Sequence, residues 1–193
     1  MQIRPGVRRL GIALMDVAAR HPSGLWVTYE AGQDPRVLRD ALGCYSTGVI
    51  LATANDSEGV PVGLTANSFT SVSLDPPLLL FCLAKSPSRL KTFESTDFFA
   101  INVLHAGQQQ IASHFAKRGA MRFGEGRCER GISGLPIIAD SLAVFECARY
   151  SRHDAGDHVI FVGLIERARF TENGEPLVYY QGKFRPIEFG KFD

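Results

Sequence analysis

The chain has 193 residues, of which 45% are hydrophobic and 21% charged, and a formal net charge of +1. This length fits one domain with a substantial hydrophobic core. The near-zero net charge provides no field that would attract nucleic acid or an anionic membrane, so we expect neither as a partner. The apolar run Leu10–Met15 ends at Asp16, short of the roughly 7–15 apolar residues of a signal peptide, and we expect a cytoplasmic protein.

The four cysteines include no CxxC pair, and no cluster of His, Cys, Asp or Glu has the spacing of a metal site. We therefore expect no metal and reduced thiols. Cys82 and Cys147 lie in apolar runs, where a free cysteine behaves as a small buried hydrophobic residue.

The pattern along the chain predicts an N-terminal extension at residues 1–34, where proline, arginine and glycine are scattered, and a folded domain at 35–193. Helices are predicted at Val37–Tyr45, from Ser86-Pro87, and at Gly107–Lys117. Strands are predicted at Gly48–Ala54, Val60–Leu64, Phe69–Leu74, Leu78–Leu83, Phe98–Leu104, Leu142–Tyr150, Val159–Phe170 and Leu177–Tyr180. A glycine-rich surface loop is predicted at Arg118–Gly134. Many strands with few short helices indicate a mainly β fold, a closed or partly closed barrel.

The segment from Lys85 to Arg89 reads Lys-Ser-Pro-Ser-Arg and directly follows a predicted buried strand. Serine followed by proline is typical of a helix N-cap and first helical position. The free N–H groups of such a helix, with hydroxyls and cations around them, suit a phosphate group. The alternative is that Ser86 simply caps a surface helix.

Two further segments carry polar groups between strands. Gly63–Ser73 contains small hydroxyl and amide side chains that a flat ligand could approach closely, although these residues also satisfy their own backbone in turns. Gly156-Asp157-His158 places a histidine beside a carboxylate at the start of a strand, either as a functional group or as a surface ion pair. Gly124-Glu125-Gly126 lacks the preceding strand and following helix of a dinucleotide-binding fingerprint, so a separate Rossmann domain is not expected.

Taken together, these segments resemble the short-chain flavin reductase family, which has an FMN-binding split barrel. The stretches that carry the resemblance follow one another in the family's order: Leu38–Thr53, Val62–Pro77, Leu79–Leu90, Phe99–Leu104, Gly156–Phe161 and Pro176–Gly182. The resemblance covers about residues 37–188. It implies a homodimer that binds FMN or FAD, uses NADH or NADPH, and serves as the reductase component of a two-component flavin monooxygenase.

The resemblance also implies roles for individual residues. Thr65, Ala66, Asn67 and Ser68 would contact the ribityl chain and the edge of the isoalloxazine ring, and Cys82, Leu83 and Ala84 would line the flavin with backbone groups. Ser86, Ser88 and Arg89 would hold the phosphate, Phe115 and Arg118 would close the site, and His158 would meet the nicotinamide.

The expected reaction is hydride transfer from NAD(P)H to the flavin. The cofactors supply the chemistry, so the protein needs to provide only orientation and electrostatics. Two alternatives stay open at this point: a flavin-binding electron carrier without reductase activity, and a reductase that passes electrons to another acceptor such as a ferric chelate or a corrinoid.

Overall fold

The structure, a computed structural model, describes residues 27–117, 123, 128–185 and 187, and only the backbone of residues 87–89. The chain divides into two compact units at Leu38/Arg39. Most of the N-terminal extension expected at 1–34 lies outside the described residues. At its end, Asp34 accepts a hydrogen bond from the Arg36 N–H (2.9 Å) and so caps helix α1, Pro35–Leu42.

Seven antiparallel strands form the main sheet: β2 Ile50–Asn55, β3 Pro61–Ala66, β4 Thr70–Leu74, β5 Pro77–Ala84, β6 Phe98–Val103, β9 Ala143–Ala155 and β10 His158–Phe170. Their order across the sheet is β3-β2-β6-β9-β10-β5-β4. Strands β3 and β4 are the two edges, and β3 contacts β5 across the gap between them. The sheet therefore curls back on itself and stays open at one seam, which confirms the expected split barrel.

The interior of this sheet is filled by aromatic side chains. Phe81 of β5 stacks on Phe161 of β10, with ring centroids 5.4 Å apart, and meets Phe99 of β6 edge to face at 5.3 Å. Helix α2, Pro87–Ser95, inserts Phe93 against Phe81 at 5.7 Å. All four rings are fully buried. Such aromatic contacts add about 0.5–1.5 kcal/mol per pair to the burial of their surfaces.

A second apolar cluster lies outside the barrel. Helix α3, Gln109–Ala116, follows a 3₁₀ turn at Ala106–Gln108 and buries Ala112 and Phe115 there. A small sheet adds to it, formed by β1 (Thr47–Gly48), β11 (Val178–Tyr180) and β12 (Lys183–Arg185). Strands β7 (Glu129–Arg130) and β8 (Pro136–Ile137) form a separate pair.

Most predicted elements are present, and the differences have local causes. The predicted first strand is divided at Val49 into β1 and β2. The stretch predicted as one long loop contains β7 and a 3₁₀ turn at Ile132–Gly134, so that expectation is wrong for its described part. Cys147 is buried as expected, and burial raises its pKa to about 12. Cys82 is only half buried, because its strand pairs with β4 no further than Leu80. Within the described part of the chain, every helix is too short or too polar to span a bilayer.

Gly163 in β10 tests how tightly the barrel is packed. A Cβ at this position would lie 2.5 Å from Cζ of Phe99 and 2.9 Å from Cβ of Cys147. We expect Gly163→Ala to lower the free energy of unfolding by about 1–3 kcal/mol, as overpacking does. Gly48→Ala is the matched control, because a methyl group added there would have no neighbouring atom within 4 Å. Equal midpoints of urea unfolding for both variants would contradict the packing described.

Candidate functional site

The end of β5 is where the segments singled out in the sequence meet. Ser68, which follows β3, hydrogen-bonds the backbone of Cys82 in β5. Ala84, the last residue of β5, is the register partner of His158 in β10. Ser86 then begins α2. The fold thus brings residues 65–68, 82–84, 86 and 158 to one end of the barrel, although they are distant in sequence.

Helix α2 begins at a serine that does not act as its side-chain cap. Ser86 is at the N-cap position with extended backbone angles (φ −93°, ψ 123°) and Pro87 follows it, as the sequence predicts. The Ser86 side chain, however, makes no cap hydrogen bond. The helix has no acidic residue in its first turn. The hydrogen bond that would make Ser86 a simple helix cap is therefore absent. The N-terminal end of α2 keeps its positive partial charge.

The opposite end of α2 is held by strand β9. Arg149 donates from Nη1 to the carbonyl oxygen of Glu94 at 2.7 Å and from Nη2 to Asp97 Oδ1 at 2.8 Å. Arg152 donates to the Glu94 carboxylate at 2.5 Å. No basic residue stands in the last turn of α2, so β9 provides the cations that favour the carbonyl end of a helix. Together with Phe93, these contacts fix the direction in which α2 points.

His158 lies beside a tight turn that joins β9 to β10. The two-residue turn is Gly156-Asp157, and Gly156 adopts φ +62°, as the first position of a type II′ hairpin turn requires. Nδ1 of His158 lies 2.7 Å from Oδ1 of Asp157, and the imidazole is partly exposed. The hydrogen bond from His158 lowers the pKa of Asp157. The local pairing of histidine and carboxylate considered in the sequence is thus present, and among the residues that the structure describes none hydrogen-bonds Nε2.

Lys85 lies between the end of β5 and the start of α2 and carries a positive charge. Its Nζ lies 3.6 Å from Oδ1 of Asp154, and its N–H donates to the Asp157 carbonyl oxygen at 2.9 Å. The backbone bond ties the start of α2 to the β9–β10 turn. The Lys85 backbone therefore connects the start of α2 to this turn, while its ammonium pairs with Asp154 of β9.

Phe115 lies on the α3 side of the site. It is buried and packs against Phe123, with ring centroids 4.6 Å apart. Both rings lie against Gly63 of β3, where a Cβ would be only 3.1–3.3 Å from them. The close approach of α3 to β3 therefore depends on this glycine. Arg118 lies outside the described residues, and the side chains of Ser88 and Arg89 are not described.

An apolar cavity opens beside residues 65–67. Its volume is about 190 Å³. It is lined by Val49, Thr65, Ala66, Asn67, Ala116, Tyr179 and Phe184. Tyr179 and Phe184 come from β11 and β12 and meet edge to face at 5.6 Å. Sequence reasoning missed this aromatic pair, because the two side chains reach the site only through the pairing of β11 with β12.

Comparison with known proteins places the chain among flavin reductases. A protein from Rhizobium meliloti named "Probable flavin reductase" is 50% identical over 160 residues, 82% of this chain and 51% of its own length. This chain thus spans about half of that relative. The FMN reductase (NADH) SmoA of Agrobacterium fabrum is 46% identical over 153 residues, 79% of this chain and 86% of SmoA.

The fold and the sequence agree with these relatives. The structure of BorF, the flavin reductase component of a bacterial two-component tryptophan halogenase, superposes with a TM-score of 0.75 and 38% identity, over 81% of this chain and all of BorF. The family model of the flavin reductase like domain matches residues 42–188. That match covers most of the chain, from the end of α1 to beyond β12, and the chain belongs to the flavin reductase family.

Proposed function

We propose that this chain is an NADH- or NADPH-dependent flavin reductase that supplies reduced FMN or FAD to a partner monooxygenase. The observation that carries the proposal is the convergence of an uncapped helix N-terminus, a small-residue segment and a partly exposed histidine at one end of the barrel. Because the chain belongs to the flavin reductase family, we interpret these converging residues as a flavin site. The name of SmoA gives NADH and FMN as its substrates. BorF is named as the flavin reductase component of a two-component halogenase.

The N-terminus of α2 fits the phosphate of a flavin nucleotide. The Ser86 hydroxyl is not used as a cap, and the first N–H groups of a helix favour an anion. Ser88 and Arg89, in the first turn of α2, would complete the phosphate site. Lys85 would add attraction at longer range.

The remaining residues fit a flat, largely apolar ring with a polar edge. Segment 65–68 and the backbone of Cys82, Leu83 and Ala84 would lie along the flavin, and the cavity beside Tyr179 and Phe184 offers apolar surface. Phe115 holds α3 against β3 behind this segment. Arg118, which follows α3 in the sequence, would close the site.

When bound, flavin provides the acceptor and NAD(P)H the donor of a hydride. His158 would orient the nicotinamide. Asp157 holds the imidazole through Nδ1, and Nε2 would then be the nitrogen with which His158 meets a ligand. The protein then contributes position and exclusion of water, which explains why no paired acid and base are needed.

Steady-state turnover with each pairing of NADH or NADPH with FMN or FAD tests the function. Under anaerobic conditions, we expect at least one of the four pairings of nucleotide and flavin to bleach the flavin absorbance. Riboflavin, which lacks the phosphate, should bind more weakly than FMN. A protein that retains flavin but bleaches with neither nucleotide would instead be an electron carrier.

His158→Ala tests the role of the histidine. We expect hydride transfer to slow by about ten- to a hundredfold through loss of orientation, while the Kd for flavin stays within about twofold. Stopped-flow reduction of bound flavin and calorimetric titration measure the two quantities. His153→Ala, in the same hairpin, is the control. An unchanged rate in His158→Ala would remove this histidine from the mechanism.

We also propose a homodimer, with residues 35–193 as the reductase domain and 1–34 as its extension. Val72 and Leu74, on the edge strand β4, are 50% and 94% exposed. An open strand edge with apolar side chains favours association, and two-fold dimers are the commonest oligomers. Because NADH and NADPH are held inside the cell, the proposed reaction takes place in the cytoplasm.

Leu74→Asp tests this dimer. A charge in an apolar interface between copies should shift the mass measured by light scattering from dimer to monomer at micromolar concentration. Phe170→Asp is the matched control, since Phe170 is also apolar and exposed (77%) but lies at the end of β10. A dimer that persists in Leu74→Asp, or a monomeric parent protein, would contradict the proposed interface.

A further inference from the structure

Two hydroxyl groups hold the segment 65–68 from opposite sides. Thr65 donates from Oγ1 to the carbonyl oxygen of Ala112 in α3 at 2.7 Å. The Ser68 hydroxyl donates to the Cys82 carbonyl oxygen at 3.0 Å and accepts from the Cys82 N–H at 2.9 Å. The segment is therefore tied to a helix at one end and to a strand of the barrel at the other.

The Ser68 bonds cover the edge of β5 beyond the last residue pair that it forms with β4. Strand β4 pairs with β5 only as far as Thr70 opposite Leu80, so the next polar backbone groups on this edge of β5 have no strand beside them. A hydroxyl is donor and acceptor at once, and Ser68 satisfies both groups of Cys82. One side chain thus replaces the missing pair of strand hydrogen bonds.

These contacts leave neither hydroxyl a hydrogen to donate to a ligand, although both oxygens keep acceptor capacity. Each hydroxyl has one hydrogen, and both hydrogens are already donated within the protein. In contrast, among the residues that the structure describes, none hydrogen-bonds the Asn67 side chain or the N–H groups of Asn67 and Ser68. Asn67 is exposed. The donors without a described partner are hence the two backbone N–H groups and the Asn67 amide.

We propose that Thr65 and Ser68 are positioning residues, whose hydroxyls fix segment 65–68 so that its backbone and the Asn67 amide bind the flavin. The family resemblance implies that both side chains contact the ribityl chain and the ring edge, and the proposal replaces those contacts with a positioning role. It rests on the proposed function. The physical reason is preorganisation: a segment held before binding loses less conformational freedom when the ligand arrives.

Thr65→Val and Ser68→Ala each remove one hydroxyl and test the proposal. We expect both variants to bind FMN about tenfold more weakly by calorimetry, since a tethering hydrogen bond is lost. We also expect faster amide hydrogen exchange in the peptide around residues 65–69 when no flavin is present. Thr65→Ser keeps the hydroxyl and should restore both properties. Circular dichroism establishes that each variant is folded.

Thr53→Val is the matched control for loss of a threonine hydroxyl. Thr53 is buried in β2, and its Oγ1 donates to the Pro136 carbonyl oxygen at 2.6 Å, outside the candidate site. Its loss should reduce the stability of the protein without changing the affinity for FMN. If Thr53→Val weakens FMN binding as much as Thr65→Val does, the effect is general destabilisation and the proposal is wrong.

Two other outcomes would overturn the inference. If FMN affinity falls while exchange in the flavin-free protein stays unchanged, the hydroxyls bind the flavin directly. If neither variant changes the affinity, the two tethers have no part in binding. A parent protein that binds no flavin would instead reject the proposed function, and this result is distinct from both.

Discussion

The packing of Phe93 against Phe81 and Phe161 is the contact on which the candidate site depends. It seats α2 on the two strands whose ends form the rest of the site, β5 and β10. Because protein interiors are close-packed, a ring in this position leaves α2 little freedom to rotate or slide. The arginines of β9 then set the direction of the helix from its other end. The place where α2 begins is thus determined by the core.

Much of this arrangement could be predicted from local sequence. Ser86-Pro87 marks the start of α2, because proline suits the first helical position and cannot continue a strand. Alternating and continuous apolar runs located the strands of the main sheet, since burial on one or both faces imposes those patterns. The short strands β7, β8 and β12 were missed, because two or three residues are too few to show a periodic pattern.

The contacts between distant segments could not be predicted in this way. The sequence identified Ser68 as polar and Cys82 as apolar, but their reciprocal hydrogen bonds arise only where the barrel stays open. Likewise, Ser71 to Leu74 alternates as a half-buried strand should, yet Val72 and Leu74 of the edge strand β4 are exposed. Local pattern specifies which residues are apolar and leaves open whether this chain or another covers them.

The unused cap at Ser86 has a thermodynamic consequence. A missing N-cap hydrogen bond costs a helix about 1 kcal/mol, so the ligand-free protein gives up stability at this point. A phosphate bound to the same N–H groups would return that free energy, and ligand occupancy would raise the melting temperature by mass action. If α2 binds a phosphate as proposed, this small loss of intrinsic stability would accompany the anion-binding surface, a trade-off between stability and activity.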